Sequence, residues 1–386
     1  MTPFTFNTAA SIRFGAGLLN DLGKIVKAEI GSRVLVVTDP GMKSTGIVDR
    51  ALDALKAEGV IASLYQDVQA DPPEGVVNLC TEAAIEAKVD GIIGLGGGSS
   101  LDVAKLTSLL ALGKEELKDI YGVGNAKGPR LPLILIPTTS GTGSEVTPIS
   151  IVTTGTNEKM GVVSSVIIPD IALLDPELTV GLPPQITAAT GIDAMVHAIE
   201  AYASANPNNN PISRNLATEA LRLMGGALET AVHSGSNMEA RSDMLLGSMM
   251  AGQAFANSPV AAVHALAYPI GGHFHVPHGL SNALVLPYVL RFNAAVAPKA
   301  YAEIAPFAFP ELAEIDDEST RAYAFCDSLA ELSKRCGLQQ TLREMDIPKD
   351  ILPKLASDAM NQSRLLVNNP RELTEQDALE IYTSAW

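Results

Sequence analysis

The first half of the chain alternates short apolar runs with longer segments that repeat apolar residues every three to four positions. RVLVVTD (33–39), VIASLYQDV (60–68), DGIIGLGGG (90–98) and LPLILIPTT (131–139) read as strands. STGIVDRALDALKAEG (44–59), EGVVNLCTEAAIEAKV (74–89) and SSLDVAKLTSLLALG (99–113) read as helices, the first stopped by Gly59. This alternation predicts a parallel sheet covered by helices. ISIVTTGTNEKMGVVSS (149–165) reads as a hairpin with its turn at Gly155–Asn157. After LDPELTVGLPPQ (174–185) the pattern changes to long Ala-, Leu- and Met-rich stretches of helical period. Pro183-Pro184 marks the boundary. The expectation is an α/β domain over 1–180 and an all-helical domain over 183–386, with NPNNNP (206–211) as a polar loop inside the latter.

The helical half carries the strongest chemical signal. Asp193 and His197 stand four apart in GIDAMVHAIE, so a carboxylate and an imidazole share one helix face one turn apart. His264 closes another Ala-rich helical run, and His278, after Pro277, sits near a helix start. One carboxylate and three imidazoles form a ligand set for a divalent transition metal. Four of the six histidines lie within 264–278, a clustering that weakens the alternative of ordinary polar residues on helix faces.

The α/β half carries a second signal. Gly96, Gly97 and Gly98 follow a buried strand, and Ser99 and Ser100 open a helix. Glycines there let a phosphate approach the backbone, and the helix start offers unpaired N–H groups; a tight strand-to-helix turn is the plainer alternative. The dinucleotide fingerprint normally puts its acidic residue about 20 positions after the glycines. Here the candidate acid, Asp39, comes first, at the end of VLVVT. Both could meet at the carboxyl edge of one sheet, where Asp39 would accept from ribose hydroxyls and repel a 2′-phosphate, favouring NAD over NADP. Otherwise Asp39 is a turn residue before Pro40-Gly41. PTTSGTGSEVT (137–147) offers the hydroxyls of Thr138, Thr139, Thr142 and Ser144 to a cofactor, or is only a Gly/Ser/Thr connection. Asp102, one turn into the glycine-started helix, either favours that helix's first turn or faces the nicotinamide ribose.

Composition narrows the function classes. A net charge of −16 excludes a basic stripe for nucleic acid and disfavours anionic membrane surfaces. No apolar run reaches the roughly 18 residues of a membrane span, and MTPFTFNTAASIRF lacks a secretory pattern. Cys80, Cys326 and Cys336 are odd in number and without CxxC spacing, which points to a reducing, cytoplasmic setting.

GGGSSLDVAK, IPTTSGTGSEVT, GIDAMVHAIEAY and HALAYPIGGHFHVPHGLSNALVLP, with VTDPGM near the start, fall in the order found in the iron-dependent (group III) alcohol dehydrogenases, and the chain resembles that family over most of its length. The resemblance implies the dehydroquinate synthase-like architecture of iron alcohol dehydrogenases: an N-terminal α/β domain with a parallel dinucleotide-binding sheet and an all-α C-terminal metal-binding domain. It carries the metal ligands onto Asp193, His197, His264 and His278, gives Asp39 its coenzyme-selecting role, and extends the cofactor residues to Lys159. Family members often have a second histidine four residues after the third ligand, where this chain has Tyr268. Tyr268, His273 and His275 are therefore the candidates for passing a proton, with His275 equally readable as a loop residue without a role. The expected activity is a metal-dependent transfer of a hydride between a small alcohol, or its aldehyde or ketone, and NAD(H), with the metal as Lewis acid on the alcohol oxygen. Four protein ligands plus a substrate oxygen suit Fe(II) better than Zn(II). A homo-oligomer, a dimer, is expected. Zinc enzymes resembling glycerol dehydrogenase or dehydroquinate synthase are the alternatives on the same fold. The latter needs several basic residues for an anionic substrate, and Lys and Arg are sparse near the ligands. A non-catalytic nucleotide- or metal-binding protein would not need both signals together.

Overall fold

The computed structural model describes residues 3–155 and 158–386. Thr156 and Asn157, from the expected hairpin turn, lie outside the described residues. The chain forms two compact units. One comprises Asn7–Thr139 and Gly143–Gly181. The other is Leu182–Trp386 together with two short segments from the first half, the residues up to Phe6 and Ser140–Thr142.

The first unit has strands β1 (Ser11–Phe14), β2 (Arg33–Val37), β3 (Ile61–Tyr65), β4 (Gly91–Gly96), β5 (Gly122–Val123), β6 (Leu133–Pro137), β7 (Ile149–Thr154), β8 (Glu158–Val163) and β9 (Ile171–Leu174). Its helices are α1 (Leu22–Glu29), α2 (Pro40–Ser44), α3 (Ile47–Ala57), α4 (Glu74–Glu86), α5 (Gly98–Leu110) and α6 (Leu117–Ile120). A six-stranded sheet runs β1-β9-β6-β4-β2-β3, and every pairing in it is parallel. Its inner strands are apolar throughout because both faces are covered. Val34, Val36, Ile93, Leu95, Ile134 and Ile136 enter one core, with α1 and α3. Leu35, Val37, Ile92, Leu133 and Leu135 enter the other, with α4 and α5. The hairpin is present as β7 against β8, antiparallel, with β5 on its far edge. Two strands of the large sheet, β1 and β9, had no counterpart in the pattern of the sequence. Each is four residues long, and they pair across the whole unit, Ser11 with Ile171.

The order of the large sheet places the crevice. From β2 the chain moves outward to β3, then crosses back so that β4 lies on the other side of β2. Adjacent strands whose connections leave in opposite directions open a gap at their carboxyl ends, where ligands of such sheets bind. Here those ends are Thr38-Asp39 after β2 and Gly96-Gly97 at β4.

The second unit is helical: α7 (Pro184–Ala203), α8 (Pro211–His233), α9 (Met238–Asn257), α10 (Ala262–Phe274), α11 (His278–Ala294), α12 (Pro298–Ala308), α13 (Glu318–Arg335), α14 (Leu352–Ala359), α15 (Ser363–Leu366) and α16 (Glu375–Ala385). α7 is apolar nearly all round, as a central helix must be, and packs on α8, α9 and α11. His264 does not close a helix, as its Ala-rich surroundings suggested. Ser258-Pro259 ends α9, because a residue before proline leaves the helical region, and a new helix starts at Ala262. His264 therefore lies in the first turn of α10, which continues through Pro269. Among the described residues no helix is long and apolar enough to cross a membrane.

Candidate metal centre and cofactor edge

Three helices of the second unit deliver the four expected ligands. α7 carries Asp193 and His197, α10 carries His264 in its first turn, and α11 begins with His278. Gly279 lets α11 dock: a Cβ there would lie 2.3 Å from Ala189 O and 3.2 Å from Asp193 Cβ. The first turn of α11 thus meets the backbone of α7, setting His278 beside Asp193.

One ligand atom from each of the four residues lies within 4.8 Å of every other. His278 Nε2 is 3.7 Å and His264 Nε2 3.9 Å from Asp193 Oδ1. Atoms about 2.0–2.2 Å from one cation lie about 3–4 Å apart, which the separations of His264 and His278 from Asp193 match. Asp193, His197 and His264 are buried, whereas the His278 side chain is 43% exposed and forms the open side. Burial pushes the Asp193 carboxyl up, but the three imidazoles, with His278 first, and the Asn282 amide together bring it below its usual value. Burial lowers His197 to about 3, leaving a neutral ring. An ionised carboxylate with a neutral imidazole is the protonation state a metal site requires.

The neighbours of these residues were not foreseen. His197 Nδ1 lies 3.2 Å from Gly141 O and its ring stacks on Phe255 at 4.3 Å. Gly141 belongs to the hydroxyl-rich loop, so part of that loop supports the His197 ring. Its glycine is needed for contact, since a Cβ would come 2.7 Å from Thr190 Cβ. Asn282, one turn after His278, donates from Nδ2 to Asp193 Oδ1 (2.5 Å) and lies 3.3 Å from both His264 Nε2 and His278 Nε2. Its Oδ1 is buried with no hydrogen-bond partner. Ligand atoms of four residues converge here beside the Asn282 amide, and the donor set fits a cation. Glu200 meets His264 Nδ1 at 2.6 Å. Both Glu200 and Asn282 had a sequence signal, at i+7 from Asp193 and i+4 from His278.

Of the candidates for moving a proton, Tyr268 lies at the cluster, its ring 5.8 Å from that of His278. His273 turns to Asp358 Oδ2 (2.7 Å). His275 ends α10 with φ 55° and its N–H on Gly271 O.

In the first unit the expected cofactor residues gather at the carboxyl ends of three neighbouring strands. Asp39 follows β2, Gly96 ends β4 and pairs with Pro137, and Thr138 and Thr139 follow β6. Asp39 Oδ1 caps α2 by accepting from Met42 N (3.1 Å), and its Oδ2 accepts from Ser100 Oγ (3.2 Å). Gly96 has φ 151°, and a Cβ would sit 2.8 Å from Ser100 Oγ, so no other residue fits. Helix α5 starts at Gly98 after Gly97, with no side-chain cap on its first N–H groups. Ser99 stands in that first turn. Asp102 accepts from Ser144 Oγ (2.6 Å) and Ile151 N (2.9 Å). Lys159 sits on the small sheet, where its ammonium pairs with Asp71 (2.5 Å) and meets Thr153 Oγ1 (3.2 Å). Thr142 belongs to the other unit.

The profile described as iron-containing alcohol dehydrogenase matches residues 9–176, and that of the Fe-containing alcohol dehydrogenase family, C-terminal, matches 187–386. The chain belongs to the iron-containing alcohol dehydrogenase family. As a member it is an oxidoreductase. It is 42% identical to long-chain-alcohol dehydrogenase 1 of Geobacillus thermodenitrificans over 375 residues, covering 96% of this chain and 94% of that protein. The fold matches a crystal structure of 1,3-propanediol oxidoreductase with a TM-score of 0.95 at 32% identity, over 100% of both chains. It also matches a sulfoacetaldehyde reductase from Bifidobacterium kashiwanohense in complex with NAD+, with a TM-score of 0.89 at 29% identity, over 100% of this chain and 99% of that one.

Proposed function

We propose that the chain oxidises a small alcohol, or reduces its aldehyde or ketone, with NAD(H), and that Asp193, His197, His264 and His278 hold a divalent cation, Fe(II) in preference to Zn(II). The observation that carries this is the convergence of four ligand atoms within 4.8 Å. When bound, the metal supplies Lewis acidity at the substrate oxygen and the nicotinamide takes or gives the hydride. Four protein ligands plus a substrate oxygen exceed the tetrahedral set that zinc prefers, which favours iron.

The chain's own residues do the rest. The first turn of α5, at Gly98 and Ser99, presents N–H groups to the cofactor's diphosphate, and Gly96 and Gly97 keep side chains out of its way. Asp39 accepts from the adenosine ribose and repels a 2′-phosphate. Thr138, Thr139, Thr142 and Ser144 offer hydroxyls to the cofactor, and Asp102 acts by holding Ser144. Lys159 offers a cation from the small sheet. Exposure of His278 gives substrate its way in, and Tyr268 beside it hands the hydroxyl proton onward. Three buried cysteines, none paired, suit a reducing cytoplasmic setting; the expected assembly is a dimer.

The test is metal analysis of anaerobically purified protein, followed by NADH formation with a panel of short and long primary alcohols, with added Fe(II) or Zn(II). The expected result is one bound metal per chain and turnover that depends on it, higher with Fe(II). Protein that binds neither metal and forms no NADH with any alcohol would overturn the proposal.

A further inference from the structure

Glu200 lies three residues after His197 and seven after Asp193, so α7 presents all three on one face. Its side chain is buried, and both oxygens are engaged. Oε2 is 2.6 Å from His264 Nδ1, and Oε1 accepts from Val263 N at 2.7 Å. We infer that Glu200 is a positioning residue for the metal centre: it fixes the tautomer and orientation in which His264 presents Nε2 as a ligand. This rests on the metal-dependent function proposed above.

An ionised Glu200 can only accept, so the neutral tautomer of His264 that fits this contact carries its proton on Nδ1. The Nε2 lone pair is then left facing Asp193. A ligating imidazole that donates its other N–H to a carboxylate is also a more basic ligand. The second contact is just as informative. Val263 N belongs to the first turn of α10, and the residue at the cap position, Ala261, has no side chain to satisfy it. Glu200 therefore anchors the start of α10 and the ring that this turn carries in one grip. His197 receives the equivalent support from a backbone carbonyl, Gly141 O, which side-chain replacement cannot remove. At His264 the support can be changed by one atom.

Glu200→Gln is that change. An amide of the same shape cannot serve both partners. If its oxygen accepts from Val263 N, its NH₂ faces Nδ1 and drives the imidazole proton to Nε2, the ligating atom. If it turns over, NH₂ opposes the Val263 N–H. A side chain that merely fills space would show no such conflict.

The parent, Glu200→Gln and His264→Ala are compared for Co(II) and Zn(II) affinity by competition with a chelator, and for the Co(II) absorption spectrum. The tautomer of His264 is read from ¹⁵N-histidine NMR spectra of the metal-free proteins. The Gln variant should bind both metals about 10–100-fold more weakly, as loss of an outer-shell partner does elsewhere. Its cobalt bands should shift and its His264 proton move from Nδ1 to Nε2. Affinities within about twofold of the parent, when His264→Ala has lost binding, would overturn this inference and leave the metal site standing. A parent that binds neither metal would overturn the metal-dependent function and this inference with it.

Discussion

Two largely buried clusters of ionisable side chains are built on opposite principles. In the helical unit, Asp193, His197, His264 and His278 each bring one ligand atom within 4.8 Å of the others, beside the Asn282 amide. In the α/β unit, Asp102, Lys105 and Glu145 form a cluster that already contains its own cation. Lys105 has no exposed side chain, donates to Ile149 O (2.7 Å) and Thr147 Oγ1 (3.2 Å), and lies 3.8 Å from Asp102. Asp102 is in turn satisfied by Ser144 and Ile151. The first cluster gathers ligand atoms of the kind that could hold a positive ion; the second is closed and holds α5 against the loop and strand that follow β6. Burial of charged groups alone does not mark a site. Convergence of metal-ligand atoms from several helices on one point does.

The sharpest way to break this contrast is to remove a ligand. His278→Ala should weaken metal binding by more than about 100-fold, beyond what an outer partner contributes, and abolish most activity. His278 is the exposed member of the set, so the melting temperature of the metal-free protein should change little. Stoichiometric metal in the purified variant would mean that the cluster is another closed one.

The converse experiment is Lys105→Met. It leaves buried Glu145 and partly buried Asp102 without their cation and should cost about 3 kcal/mol of stability in urea, with metal content unchanged. Burial raises Glu145 to about 7 in the folded protein, from 4.5. An acid shifted upward costs nothing below its unfolded value, and its penalty grows until the pH passes the folded one. In the parent that growth ends near pH 7. Without Lys105 the carboxyl is pushed higher still, so the gap in stability between variant and parent should widen above pH 7. A gap that narrows between pH 7 and 9 would assign Lys105 some role other than balancing the acids.

What the sequence made legible follows the same division. Asp193 and His197 were visible because a helix puts i and i+4 on one face, and the glycines before α5 because they interrupt a strand-to-helix pattern. Glu200 shared that helix face but stayed unmarked, because its partners Val263 and His264 are more than 60 residues away. Gly141 read as a piece of a cofactor loop, and only the fold shows its carbonyl against His197. β1 and β9 were missed because four residues carry too little periodicity and their pairing is a property of the closed sheet. His264 was put at the wrong end of a helix because Ala-rich text runs across Ser258–Ala261, and the break there comes from Pro259.

A smaller effect tests the cofactor edge, where the same atoms do two things. Asp39 caps α2 and also holds Ser100, so Asp39→Gly should raise NADP use relative to NAD by about five- to thirtyfold, the equivalent of one or two kcal/mol. It should also lose about 1 kcal/mol of stability with the cap. Asp39→Asn separates the two, because an amide oxygen still caps while the charge is gone. Its coenzyme preference should move with the Gly variant and its stability with the parent. Unchanged preference in both would leave Asp39 as a cap alone.

The smallest predicted effect is at Tyr268, where this chain departs from the histidine often found in its family. The ring stands 5.8 Å from that of His278, at the open side of the metal cluster. The other two candidates are placed less well: His273 is engaged by Asp358, and His275 ends α10 in a left-handed conformation. A phenol near pKa 10 is a weak base at neutral pH, but its hydroxyl can accept one proton while releasing another along a hydrogen-bonded chain. Tyr268→Phe keeps the ring and removes that hydroxyl. Turnover at pH 7 should fall by no more than about tenfold, less than a dedicated general base contributes, because water can complete the chain. The loss should shrink as the pH rises, since hydroxide then takes the proton directly, and bound metal should stay equal to the parent's. A pH–rate profile that superimposes on the parent's would leave Tyr268 only packing against His278, and proton release would then run through water at the exposed edge of His278.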